Sequence, residues 1–217
     1  MTNQTRLQYQ EVPSIGLYIA ITKALDERGI SIANIIWYDT KLLIQKQDLL
    51  LSSREWSEAR AFFEVNHPEI AIDMITGPAE WTDSLIAYPS NDGNYAHNLN
   101  VKLPKIRNKV PLVIQGSVVE KRGDNYIIDG GEVLELPSLP RISGRLLEEI
   151  PELGLNEGVY MWIDSNFDYE QGLRPVIRSF FSVASNERRF DAKANRGPLY
   201  SVPYVGFRPA RRVVKIE

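Results

Sequence analysis

Gly77-Pro78-Ala79-Glu80-Trp81-Thr82-Asp83-Ser84-Leu85-Ile86-Ala87-Tyr88 is the stretch on which the reading of this chain turns. The Gly-Pro pair breaks what precedes it, and Trp81 to Tyr88 reads as a strand closed by Pro89. Before this point the chain carries helical signals; after it come short apolar runs separated by polar turns.

Upstream, Ser14 follows Pro13 and opens a run of Ile15, Leu17, Tyr18, Ile19, Ile21, Ala24 and Leu25 that stops at Gly29, which predicts a first helix. Ile32 to Tyr38 and Leu42 to Leu51 are two short apolar runs, the second broken by Gln45-Lys46-Gln47-Asp48 as a turn or strand pair. Ser52-Ser53-Arg54-Glu55 has the form of a capping box. Trp56, Ala59, Phe62 and Phe63 then recur at helical spacing until Pro68 stops the helix after His67.

Downstream, Pro89 to Asn94 is a polar loop. A meander follows from Leu112 to Glu120, Tyr126 to Asp129 and Glu132 to Leu136, with turns at Lys121 to Asn125 and at Gly130-Gly131. A short helix is expected from Ser143 to Ile150. Strand-like runs return at Val159 to Ile163, Val176 to Val183, Tyr204 to Arg208 and Val213 to Ile216. Two early helices and many short antiparallel strands with long loops make an α+β protein, read as one domain over residues 1–217.

Composition narrows the chemistry. The 217 residues include no Cys and only two His, His67 and His97. That removes disulfides, thiolate ligands and a Cys nucleophile, and leaves too few imidazoles for a His-rich metal centre. Net charge is −3, yet residues 171–217 carry ten Lys/Arg against three acidic residues. This basic segment suits an acidic partner surface, or else it is neutralised internally against the acidic body. The arginines are scattered rather than gathered on one helical face, which disfavours nucleic acid. No apolar region follows Met1 to Arg6 and no run approaches a membrane span, so a virion-associated or a cytoplasmic location fits.

Familiar motifs reduce to turn chemistry. Arg122-Gly123-Asp124 sits where a hairpin turn is expected, and Asn91-Asp92-Gly93-Asn94 lacks the further carboxylates of a calcium loop. Glu148-Glu149 reads as a solvated face and His67 as a residue at a helix C-terminus. No phosphate loop, nucleophile elbow or His-Glu-x-x-His occurs. The C-terminal region is more informative. Tyr200, Val202 and Tyr204 alternate with Ser201 and Pro203, so in an extended segment their side chains leave one face. With Lys193 and Arg196 nearby they form a binding face or, alternatively, cover the edge of the core.

The Glu80-Trp81-Thr82 stretch resembles the signature of formylglycine-generating-enzyme-type domains, a subclass of the C-type lectin fold. The tail is similar too: Arg178-Ser179 in place of an Arg-Gly-Gly start, then Phe190, Asn195, Pro198 and a terminal Gly206-Phe207-Arg208. The resemblance spans about residues 50–212, leaving 1–50 as an N-terminal addition. Oxidases of this class use cysteines to bind copper, and their iron-dependent relatives use a histidine cluster. This chain can supply neither, and it lacks the calcium-dependent sugar motifs of lectins, so no catalytic residue, metal or cofactor is expected.

What remains is similar to the variable proteins of diversity-generating retroelements, found in phages, bacteria and archaeal viruses. The resemblance implies a region over residues 178–208 whose scaffold anchors are Arg178, Phe190, Asn195, Pro198, Gly206, Phe207 and Arg208. The varied, ligand-binding positions it implies are Ser182, Val183, Asn186, Lys193, Arg196, Tyr200, Val202 and Tyr204. Ser179-Phe180 departs from the two glycines of the start, and one residue fewer precedes Phe190. The expected function is non-catalytic binding of a protein or cell-surface ligand. The alternative is a fixed-surface structural or interaction domain of a virion or other assembly.

Overall fold

The computed structural model describes residues 7–26, 28, 30, 32–46, 48–76, 79–103, 110–137, 139, 143–146, 149–156, 161–164, 172–180, 191–201 and 205–213. Its elements open with β1 (Tyr9–Val12), β2 (Leu17–Ala20), α1 (Trp37–Ile44), β3 (Leu49–Leu50), α2 (Ser53–Asn66), α3 (Pro68–Ile75) and β4 (Ala79–Ala87). The middle of the chain supplies β5 (Leu99–Asn100), β6 (Leu112–Gln115), β7 (Val118–Arg122), β8 (Asn125–Asp129) and β9 (Glu132–Glu135). It closes with β10 (Ser143–Leu146), β11 (Met161–Asp164), β12 (Leu173–Phe180), β13 (Asp191–Ala194), β14 (Val205–Phe207) and β15 (Pro209–Arg212). The architecture is mixed α+β.

The expected strand after Gly77-Pro78 is the centre of the largest sheet, ordered β10-β11-β13-β12-β4-β6-β9. All nine residues of β4 are buried. β12 runs antiparallel along one side of β4; on the other side, β14 lies parallel to its first half and β6 antiparallel to its second. One face of this sheet packs Trp81, Leu85, Leu112, Ile177 and Phe207 with Trp37 and Tyr38 of α1. The opposite face packs Ile86, Val113, Val176, Ala192 and Ile163. A third core lies where α2 and α3 meet the smaller sheet β1-β2-β15-β3.

The capping box forms as expected. Ser52 Oγ accepts from the Glu55 amide at 3.1 Å and the Glu55 carboxylate accepts from the Ser52 amide at 2.7 Å. Trp56, Ala59 and Phe63 then face the core at helical spacing. Pro68 does end α2, but it also occupies the first position of α3, where its missing N–H costs nothing. His67 joins the two helices: its amide donates to Phe63 and its carbonyl accepts from Ile70. The expected meander is present, although β6 and β9 belong to the large sheet and β7 and β8 to a separate one with β5.

Three expectations are corrected. The helix from Ser14 to Gly29 is instead the β1–β2 hairpin. Pro13 and Gly16 (φ +64°) make its turn, and Leu17, Tyr18 and Ile19 alternate in and out, a two-residue period that the run also contains. The two short apolar runs, Ile32 to Tyr38 and Leu42 to Leu51 with its turn or strand pair at Gln45 to Asp48, are spanned at their junction by α1, whose Trp37, Lys41 and Ile44 share a buried side. Residues 143–146 form β10, an edge strand whose backbone pairs with β11, rather than a helix. The described residues thus hold three α-helices, of which only α2 was anticipated. The last described strand is β15, just before the expected Val213 to Ile216, of which residues 214–216 lie outside the described residues.

The described residues among the first fifty are built into these layers. β2 pairs with β15, and Trp37, Tyr38 and Ile44 join the main core. The joint is held by one buried acid, Glu80. It accepts from Trp56 Nε1 at 2.8 Å and from Arg208 Nη2 at 3.0 Å, and lies 3.5 Å from Lys23 Nζ. Arg208 also donates to the Ala20 carbonyl at 2.7 Å and pairs with Asp73. Breaking a buried pair from one side leaves the other charge uncompensated. Arg208→Met is therefore expected to lose about 3–5 kcal/mol of stability by urea denaturation. A loss under about 1 kcal/mol would remove the pair from this structural role.

Candidate binding face

The anchor positions implied by the sequence resemblance are largely inside. Phe207 is 3 % exposed and Arg208 1 %, and Pro198 is buried. A Cβ on Gly206 would meet the Ile32 carbonyl oxygen at 2.6 Å, so only glycine lets β14 approach this closely. Arg178 is buried at the far end of β12, its guanidinium 4.9 Å from the Trp56 ring and donating to Ser57 Oγ at 2.8 Å. Burial first, and then the charge of Arg60, pull its pKa down to about 9. Asn195 is half-buried, and Phe190 lies outside the described residues.

Between these anchors the chain turns outward. β13 ends at Ala194, and the next residues form a turn in which the Tyr200 amide donates to the Gly197 carbonyl at 3.1 Å. Leu199 and Tyr200 are 50 % and 45 % exposed. The Arg196 guanidinium lies 4.5 Å from the Tyr200 ring centroid, a cation–π contact that holds both side chains in one arrangement. Such a pair presents a flat apolar ring and a charge with little freedom left to lose on contact with a partner.

Lys193, half-buried, lies in the middle of β13 in register with Trp162 of β11. Registered residues on adjacent strands leave the same face of a sheet, so Lys193 and Trp162 are neighbours there. Trp162 is 47 % exposed while its neighbours Met161 and Ile163 are buried. It had no place in the sequence reading. The alternation of Met161, Trp162 and Ile163 was the available signal, but it does not say which face is covered. Of the eight expected positions, Arg196 and Tyr200 are brought together and Lys193 lies on the preceding strand. Ser182, Val183, Asn186, Val202 and Tyr204 lie outside the described residues.

The loop also forms one wall of a groove of about 320 Å³. Pro198 and Leu199 line it from the loop and Leu173 from β12, with Tyr38, His97, Asp124 and Tyr126 among the other lining residues. Tyr38 and Tyr126 stack at 4.4 Å, and Asn98 Nδ2 donates to Tyr38 Oη at 2.9 Å. Tyr126 Oη donates to Asp39 at 3.0 Å; burial and this carboxylate raise its pKa. The Arg122-Gly123-Asp124 segment is the β7–β8 turn, as expected, yet Asp124 contributes to this groove.

Other motifs resolve locally. In the Asn91 to Asn94 loop, Asp92 is engaged by Ser90 and by Asn94 Nδ2, and these hydrogen bonds hold its carboxyl below the usual range. Among the described residues no group of three or more His, Asp or Glu side chains is arranged to hold a metal ion. No described helix is long and apolar enough to cross a membrane. The basic C-terminal segment is in part turned inward: Arg174, Arg178 and Arg208 are buried, and Arg211 pairs with Asp48. Comparison with family models, curated proteins and solved structures finds no match.

The exposed ring is expected to be dispensable for folding. Tyr200→Ala should change unfolding free energy by less than about 1 kcal/mol, because a half-exposed side chain leaves no sealed cavity. A loss of about 3 kcal/mol or more in chemical denaturation would instead make Tyr200 a core residue.

Proposed function

We propose that this chain is a non-catalytic ligand-binding protein that presents a variable C-terminal face on a C-type-lectin-type scaffold, in the manner of a diversity-generating retroelement variable protein. One observation supports this most. Along the segment from Arg178 to Arg208, the described anchor positions Arg178, Pro198, Gly206, Phe207 and Arg208 are buried and Asn195 is half-buried, whereas of the described varied positions Arg196 and Tyr200 are exposed and Lys193 is half-buried. A scaffold meant for exchange needs this division, with core side chains held constant and the positions that vary free of packing duties.

The exposed residues suit contact with a protein or cell-surface ligand rather than catalysis. Tyr200, Leu199 and Trp162 offer amphipathic and apolar area, and Arg196 offers charge-assisted hydrogen bonds. The groove beside the loop adds a concave edge with His97, Asp124 and Tyr126 as polar groups. The inward turn of three arginines weakens the case for an acidic partner, since fewer of the tail's positive charges reach solvent.

Two measurements test the proposal. The genome around the coding sequence should hold a reverse transcriptase and a near-copy of the Arg178–Arg208 segment differing only at adenines; absence of both would sink diversification. At the bench, a library randomised at Lys193, Arg196 and Tyr200 should yield mostly folded members, with Tm within about 5 °C of the parent. If most members unfold, the face belongs to the core and the proposal fails.

A further inference from the structure

A second cavity, of about 490 Å³, shares no lining residue with the groove beside the display loop. It lies among α1, β3, the first turn of α2, and the β6–β7 turn. Its aliphatic lining comes from Ile44, Leu49, Leu50 and Val118. Its charged lining is mostly acidic: Asp48, Glu55, Asp83 and Glu132, with Lys41 and Arg212 as the cations.

Most of these charges are already spent. Asp83 is 6 % exposed; it pairs with Lys41 through one oxygen and accepts from the Gly116 amide at 2.6 Å through the other. Burial, opposed by Lys41 and reinforced by the charge of Glu55, leaves its pKa raised. Asp48 is taken by Arg211 and by Tyr9 Oη. That leaves Glu132, which is exposed, and Glu55, which uses one oxygen in the capping box, against the exposed guanidinium of Arg212. The free balance is one negative charge.

An independent feature points to a ligand. Ser117 lines the same cavity, is 2 % exposed, and its hydroxyl has no hydrogen-bond partner among the described residues. Buried hydroxyls are nearly always paired, because water is no longer there to satisfy them. A group entering the cavity can supply the missing bond.

We propose that this cavity binds a small aliphatic amine in its ammonium form, with the ammonium held by Glu55 and Glu132, a hydrogen bond to Ser117, and the alkyl chain against Ile44, Leu49, Leu50 and Val118. The volume falls in the range of small-molecule pockets, about 300–1,000 Å³. An anion is disfavoured because the described lining sets one cation without a carboxylate partner, Arg212, against two carboxylates, Glu55 and Glu132. A neutral alcohol would satisfy Ser117 but leave that excess charge uncompensated.

The test uses the full chain at pH 7 and fixed ionic strength, titrated in a calorimeter with n-butylammonium, 1-butanol and butyrate. Saturable binding of n-butylammonium, at least tenfold tighter than either isostere, is expected. Glu55→Gln with Glu132→Gln should weaken it at least tenfold; Gln at position 55 keeps the capping box, and position 132 is exposed, so folding is preserved. Ser117→Ala removes a hydroxyl that has no bond to lose. It should leave the Tm of the free protein unchanged or higher while reducing affinity several-fold. No saturation, equal binding of an isostere, or undiminished affinity in either variant would overturn the assignment.

Discussion

Glu80 and Arg208 meet inside the protein, each 1 % exposed, and nearly every layer of the structure is attached to that meeting. Glu80 belongs to the central strand and also holds Trp56 of α2. Arg208 stands between β14 and β15 and reaches back to Ala20 at the end of β2 and to Asp73 of α3. Two charges withdrawn from water are expensive, and such a pair is tolerated only when further hydrogen bonds satisfy it. Here those bonds come from both ends of the chain. The desolvation cost thereby becomes a condition on assembly: the pair is satisfied only once the N-terminal hairpin, α2, α3 and the C-terminal strands are in place.

The same strand repeats the device along its length. Trp81 Nε1 donates to the Ile35 carbonyl, Thr82 Oγ1 to the Val176 carbonyl, and Ser84 Oγ accepts from the Ser53 amide. Asp83 pairs with Lys41. Each polar side chain of a fully buried strand thus ties a different neighbour, which specifies partners that apolar contact alone would leave interchangeable. The core built on this strand leaves the Arg196 and Tyr200 side chains exposed, which is the property that the proposed replaceable face requires. The second cavity borders the same strand through Asp83, which accepts from the amide of Gly116, the residue before Ser117.

The sequence was legible where the deciding interaction is local. The α2 capping box joins residues three apart, and the β7–β8 turn needs only a few residues around Gly123. Both were recognised. The β1–β2 hairpin was missed because Leu17 to Ala20 fits either period over so short a run, and its strand character is completed by β15, about 190 residues away. α1 was missed for a related reason: Trp37 looks like part of a short apolar run and Lys41 falls between two such runs until the core and Asp83 claim them. At the candidate face, Arg196 and Tyr200 could be picked out from composition and spacing. Trp162 could not, since its exposure depends on what the large sheet leaves uncovered.

By itself, the sequence determined the absence of thiol chemistry, the start of α2 and the turns of the meander. Covalent inventory and short-range backbone hydrogen bonding settle these whatever the rest of the chain does. Only the tertiary structure decided that the basic tail turns partly inward, that an apparent helix is a hairpin, and which side chains reach solvent. Those outcomes depend on desolvation and on pairing between distant segments, and both arise only when the chain is packed against itself.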